Sequence, residues 1–231
     1  MKARRGVELE NQCARYDLRI DHIEAHPIPG TKLWVGADGT HKHPEEIALA
    51  HYEQSGCCGS WCEGGTLNLL MKAASYPIFV RYNEFQDRVD ARRRFFEAQC
   101  VILATRNGEI LHAIESATTS KIEVAASEIL NDYLIRGFYP RVTLSFLLAL
   151  WEALGPARLA AIARVFLRKP YDFRAGWPDL TLVSGSRLRF VEVKTSGLLI
   201  ESQTRIVEAF GKPLQLNFAI AHVTAVPGHQ A

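Results

Sequence analysis

Asp179, closing the run Gly176-Trp177-Pro178-Asp179-Leu180, and the triplet Glu192-Val193-Lys194 are the residues whose types and spacing best suit chemistry. On an extended backbone successive side chains alternate between faces. Glu192 and Lys194 therefore share one face while Val193 turns to the other. Two acids and an amine converging at the edge of a hairpin suit phosphodiester hydrolysis. The acids hold a hard divalent cation, and the amine steadies the attacking oxygen or the crowded phosphate. Leu188, Phe190 and Val191 make the approach to Glu192 apolar, so both charges end a buried strand. Burying charge without a partner or a metal is costly, which argues for a purpose. Gln203 falls in the first turns of the next helix, where its amide can reach back to the lysine or to a phosphate.

The elements that must position these groups read as follows. Residues 180–183 and 188–193 are strands around the turn Ser184-Gly185-Ser186; residues 202–210 are helical, and 214–223 form a last strand. Upstream, residues 90–169 show apolar positions at three- and four-residue spacing, in helices over 92–104, 121–135, 142–154 and 157–167. Their breaks fall at Asn107-Gly108, Gly137 to Pro140 and Gly155-Pro156. Pro44-Glu45-Glu46 starts an earlier helix that Gly56 ends. A second runs through Glu63, Leu67, Leu70 and Ala74 and stops before Pro77. Residues 1–43, punctuated by Pro27, Pro29, Gly30, Gly36 and Gly39, read as an irregular segment of turns and short extended pieces. The division is thus 1–43 irregular, 44–139 a helical lobe carrying Glu63, and 140–231 a core of strand–strand–helix–strand. The fold class is mixed α and β, with that core packed against the lobe.

With 27 Lys and Arg against 25 Asp and Glu, net charge neither demands nor excludes nucleic acid, so a DNA surface must be a local patch. The densest basic run is Arg88, Arg92, Arg93 and Arg94, joined by Arg81. Arg168, Lys169 and Arg174 stand just ahead of Asp179. Both groups are candidates for phosphate contacts. Tyr82, Phe85, Phe95 and Phe96 are the aromatic residues available for base stacking, against a bland reading as core. The 5 cysteines, with no leader evident ahead of them, suit a reducing cytoplasm and free thiols. Cys57, Cys58 and Cys62 with His41 and His43 lack the spacing of a zinc site. No apolar run approaches bilayer-spanning length, and residues 144–151 read as a buried helix, so no membrane partner is expected.

Taken together, Gly-x-Pro-Asp-Leu, Glu-Val-Lys and the helical Gln203 resemble the VRR-NUC domain of the restriction-endonuclease-like PD-(D/E)xK superfamily. The similarity extends to the Fanconi-associated nuclease family. Residues 153–165 resemble the helix preceding that family's nuclease hairpin, and Ala221-His222-Val223-Thr224-Ala225-Val226 resembles its closing strand. Gly56 through Gly64 and the Leu-rich helix after it resemble its Glu-Gly helix. The resemblance implies that Asp179, Glu192, the Val193 carbonyl and Glu63 bind metal, with Lys194 the catalytic amine and Gln203 its support. It implies Mg²⁺ or Mn²⁺ as cofactor, and branched, flapped or single-stranded DNA ends as substrate in DNA repair. The loop Thr195-Ser196-Gly197-Leu198-Leu199 is shorter than the family's. Two alternatives stay open: a Holliday-junction-resolvase-like endonuclease, which would favour a homodimer, and a non-catalytic DNA-binding module on the same fold.

Overall fold

In the computed structural model, which describes residues 2–83 and 87–226, the chain opens with α1 (Lys2–Tyr16) and β1 (Arg19–Pro27). β2 (Trp34–Val35), β3 (His41–Lys42), α2 (Pro44–Gln54) and β4 (Cys58–Trp61) follow. The middle is helical: α3 (Gly65–Tyr82), α4 (Arg88–Arg93), α5 (Phe96–Ile102), α6 (Asn107–Glu115), α7 (Thr119–Leu130), α8 (Tyr133–Phe138) and α9 (Leu144–Phe166). The chain then runs through β5 (Leu180–Ser184), β6 (Arg187–Lys194), α10 (Glu201–Ile206), a π-helical turn (Val207–Gly211), α11 (Lys212–Leu214) and β7 (Asn217–Ala225).

The seven strands form one mixed sheet in the order β3-β2-β1-β7-β6-β5-β4. β5 and β6 pair antiparallel through the two-residue connection Gly185-Ser186, with Gly185 at φ 57°. A tight hairpin needs such a positive φ, and glycine supplies it without a steric penalty. β6 and β7 are parallel, so their link must cross over, and α10 with its π turn makes that crossing. The strand–strand–helix–strand expectation is therefore what the backbone forms.

Alternation then assigns the two faces. Leu188, Phe190 and Phe218 join the large core that also holds Leu67, Phe79, Phe96, Leu150 and Phe166 from the helices. Leu180, Leu182, Val191 and Val193 point the other way and pack with Ala48 and Tyr52 of α2. Because the first cluster runs unbroken from α3 to β7, residues 44–139 and the C-terminal strands share one apolar interior.

Several local expectations change. Residues 1–43 are not irregular. β1 pairs parallel with β7 from Arg19↔Ala219 to Ala25↔Ala225, which puts the segment inside the sheet. His22, Glu24 and His26 alternate with buried Ile23 and Ala25, so the strand signal is carried by only two apolar positions. The expected turns do occur, with Gly30 and Gly39 at positive φ. α3 does not stop before Pro77 but continues to Tyr82. Nearly everything from Gly65 to Tyr76 is buried, and that packing outweighs the roughly 3 kcal/mol proline penalty. The expected helix over 92–104 is two helices, separated where Arg94 and Phe95 turn extended. The pair expected around Gly155-Pro156 is the single element α9, kinked where Gly155 adopts φ 66° and ψ 170°. By length and composition α9 is long and apolar enough to cross a bilayer; 56% of its most apolar stretch is buried inside the protein.

Candidate active site

Asp179 sits one residue before β5, and Glu192 and Lys194 lie at the C-terminal end of β6. The antiparallel ladder ends at Leu180↔Val191, and beyond it a side chain takes over the pairing. The Val193 N–H donates to Asp179 Oδ2 at 2.8 Å. That bond ties the first acid to the strand carrying the second. Glu192 and Lys194 share a face, as alternation requires, and Lys194 Nζ lies 2.9 Å from Glu192 Oε1.

Gln203 joins the group from the first turn of α10. Its Nε2 donates to Glu192 Oε1, while its Oε1 accepts from Lys194 Nζ at 3.1 Å and from the Ile200 N–H at 3.0 Å. The last bond caps the helix, so the residue that holds the acid and the amine is itself anchored to backbone. Glu192, Lys194 and Gln203 thus form one side-chain network, to which the Val193 N–H ties Asp179 through the β6 backbone, with Glu192 and most of Lys194 withdrawn from solvent.

Glu63 arrives differently from expectation. It is not on a helix but in the turn ahead of α3, at φ 46°, with an exposed side chain. Its backbone is registered to the site, since the Cys62 and Glu63 N–H groups both donate to the Asp179 carbonyl. Packing explains the neighbouring glycines. A Cβ on Gly64 would overlap the Trp177 side chain, and one on Gly176 would collide with the Ser202 carbonyl. Trp177 is buried and donates from Nε1 to the Phe173 carbonyl at 2.7 Å. The Gly176-Trp177 pair therefore locks the approach to Asp179 between the Glu63 turn and α10.

The electrostatics follow from burial. Withdrawal from water, then repulsion by Glu192, holds the Asp179 carboxyl well above the usual carboxylate range; the Val193 N–H opposes this, and Glu45 and Glu63 add to it. Burial also raises Glu192, against the pull of Lys194 and Gln203. Glu45 was absent from the sequence-based candidates. It reads there as an ordinary acid in the first turn of a helix, and only the packing of α2 over the sheet brings its field to Asp179. Among the described residues, no three His, Cys, Asp or Glu side chains are gathered into a ready-made metal-binding group.

The basic run is heavily engaged. Arg88 forks onto Glu128, Arg92 and Arg93 both reach Asp132 at 2.9 Å, and Arg94 pairs with Asp90 at 2.9 Å. Arg81 is exposed beside Tyr82. Arg168, Lys169 and Arg174 are exposed, with Lys169 3.6 Å from Asp172 and Arg174 over Tyr171. Of the aromatic candidates, Phe96 is core, Phe95 is part-exposed against Phe138, Tyr82 carries the Arg106 guanidinium, and Phe85 lies outside the described residues. All five cysteines are free thiols. Trp61 and Arg141 were not singled out from the sequence. The Arg141 guanidinium lies 3.8 Å over the Trp61 ring, which ends β4 opposite Leu180.

A mixed sheet whose β5–β6 hairpin carries this network, among helices, is a fold found in solved structures. Two solved structures share it: paFAN1 bound to DNA with a two-nucleotide 5′ flap and a gap, and paFAN1 bound to DNA with a one-nucleotide 5′ flap and a gap. The first superposes with a TM-score of 0.64 at 17% identity, over 92% of this chain and 38% of that one. The second gives 0.56 at 20% identity, over 90% and 38%. The chain therefore spans about two fifths of the length of the proteins it matches. No family model matches the sequence, and no curated protein does.

Proposed function

We propose that the chain is a divalent-metal-dependent DNA nuclease acting on flapped or branched DNA, with a restriction-endonuclease-like core. One observation carries the reading. Of the residues read from the sequence as a nuclease set, Glu192, Lys194 and Gln203 meet in one hydrogen-bonded network, and Asp179 is held to the same strand by the Val193 N–H, on a fold shared with paFAN1. The likeness to paFAN1, solved with flap DNA, supports DNA as the partner.

The donor chemistry fits Mg²⁺ or Mn²⁺. Asp179, Glu192, the Val193 carbonyl and Glu63 offer hard oxygen atoms, which these ions prefer. Two neighbouring acids withdrawn from water, with Glu192 repelling the charge on Asp179, are stable together in ionised form only beside compensating positive charge, and Lys194 supplies one unit. When bound, the cation supplies Lewis-acid activation of water and neutralises charge on the phosphate.

The protein's own groups do the rest. Gln203 holds Glu192 and Lys194 in register and fixes which oxygen of Glu192 stays free. Lys194 shares its ammonium protons between Glu192 and Gln203 at rest and can turn them onto a non-bridging phosphate oxygen, where negative charge accumulates in the transition state. The Val193 N–H holds one Asp179 oxygen and leaves the other without that bond.

Purified protein incubated with flap, fork, junction and single-stranded DNA, with Mg²⁺, Mn²⁺ or chelator, tests this. Cleavage that requires the cation and favours flapped or branched ends is expected. DNA binding with no cleavage under any metal would replace the nuclease reading with the binding-module reading.

A further inference from the structure

The first helix of the chain packs on the face of the sheet that carries Glu192. Ile220 stands abreast of Glu192 in the β6–β7 ladder, and partners abreast in a sheet project from the same face. Leu9 and Cys13 of α1 are buried with Ile220 in one small apolar cluster, and Leu199 completes it. Leu199 belongs to the loop that links Lys194 to α10. It is the one buried residue there, since Thr195, Ser196, Gly197, Leu198 and Ile200 are all exposed. Beside Cys13, Gln12 takes hold of the Leu199 main chain at both its polar groups. Its Nε2 donates to the Leu199 carbonyl at 3.0 Å, and its Oε1 accepts from the Leu199 N–H at 2.7 Å. A primary amide offers a donor and an acceptor side by side, so Gln12 pairs with Leu199 as an antiparallel strand would.

The bonds continue without a gap to the acid and the amine. Ile200, the next residue, caps α10: its carbonyl accepts from the Gln203 and Thr204 N–H groups at 3.0 and 3.1 Å, and its N–H donates to Gln203 Oε1 at 3.0 Å. The same Gln203 oxygen accepts from Lys194 Nζ at 3.1 Å, while Gln203 Nε2 donates to Glu192 Oε1. Other contacts hold α10 further along. Ile206 is sunk in the large core, and the Ser202 backbone lies against Gly176. They place the body of the helix. Its start, from which Gln203 must reach both Glu192 and Lys194, is placed by Leu199, through its burial under α1 and its pair with Gln12. Catalytic groups are sensitive to such placement: a shift of about 1 Å, even from a change far from the chemistry, can cost about a hundredfold in rate.

We propose that Gln12 is a positioning residue of the candidate nuclease site: by pairing with both main-chain groups of Leu199 it fixes the start of α10 and, through Gln203, the placement of Lys194 against Glu192. This rests on the nuclease reading and deepens it, because it makes the first helix of the chain a working part of the hydrolytic centre at its last strands. Gln12 touches neither Glu192 nor Lys194 itself. Its effect passes through Gln203, so removing it should slow the chemical step and leave DNA affinity alone.

The test uses the full chain carrying Gln12→Met, which keeps the length of the side chain and deletes both bonds. Two measurements are made, one of them independent of activity. Amide hydrogen exchange over residues 195–203 should quicken by about three- to tenfold at Leu199 and Ile200, the scale of one lost hydrogen bond. Cleavage of flap DNA with Mg²⁺ should show kcat reduced by about tenfold to a hundredfold, with KM for DNA within about twofold of wild type. The same substitution is then made in a Gln203→Met background, where a route through Gln203 leaves Gln12→Met with less than about a twofold further effect on kcat. Unchanged exchange at residues 195–203 overturns the clamp. Faster exchange with unchanged kcat makes Gln12 a loop anchor and overturns its positioning role. A full loss of kcat in the Gln203→Met background as well overturns the route, as expected if Gln12 served stability alone. None of these three results touches the nuclease reading. A wild-type protein that cuts no DNA with any divalent cation sinks that reading, and the positioning role with it, even where exchange responds as expected.

Discussion

Asp179→Asn probes the electrostatics of the site most directly, because it removes an ionisable group and keeps the shape. The new amide oxygen still accepts from the Val193 N–H, a 2.8 Å bond in the wild type. Burial and Glu192 push the Asp179 carboxyl from 3.8 up to about 8. A carboxyl raised in this way keeps a proton in the folded state that the unfolded chain has already released. Its cost to stability is therefore absent at acid pH, grows as pH rises above about 4, and is complete near 8. Each pKa unit of that rise is worth about 1.36 kcal/mol, and Glu192 shares the effect, so the variant should gain at least about 1 kcal/mol at pH 7, or about 2–4 °C in Tm for a chain of this size. Calorimetry at pH 5 and pH 7, without divalent ions and then with Mg²⁺, reads it. The variant should melt above wild type at pH 7, with a smaller gap at pH 5, while Mg²⁺ raises the wild type more than the variant. Cleavage should fall by at least about a hundredfold. A variant no more stable than wild type at pH 7, or a gap that widens in acid, would refute the reasoning.

Lys194→Ala should lower cleavage by about a hundredfold or more and also lower the melting temperature, since it strands Glu192, whose side chain is 7% exposed; wild-type turnover would remove Lys194 from the mechanism. Gly176→Ala should destabilise by at least about 1–3 kcal/mol through collision with the Ser202 backbone, seen as a lower urea midpoint, and a neutral result would mean α10 can shift freely. Arg92→Ala combined with Arg93→Ala strands Asp132, whose side chain is 1% exposed beneath the two guanidinium groups, and should cost about 1–3 kcal/mol, since their removal also opens it to water. Unchanged melting would show these ion pairs to be slack and return both arginines to the DNA surface.

The network was legible because its signal is local. Asp179 before an apolar run, and Glu192 and Lys194 two apart on the next, need only strand alternation to be brought onto adjoining strands. Gln203 needs only the first turn of the following helix. The N-terminal segment was illegible for the opposite reason. β1 holds two buried apolar side chains among histidines and acids, and its pairing with β7 spans nearly the whole chain. Proline rules failed at Pro77, where a buried helix outvotes the local penalty.

The amino-acid order by itself determined the two acids, the amine and the amide, since period-two alternation and a short hairpin act over a few residues. Tertiary structure alone decided which charges stand beside them. It brought Glu45 and the Glu63 turn to Asp179, paired the dense arginine run with acids on α7 and in the turn after it, and set Gln12 of α1 against Leu199. The physical reason is range. Backbone geometry fixes neighbours a few residues apart, whereas electrostatic partnership depends on which distant surfaces the apolar core draws together.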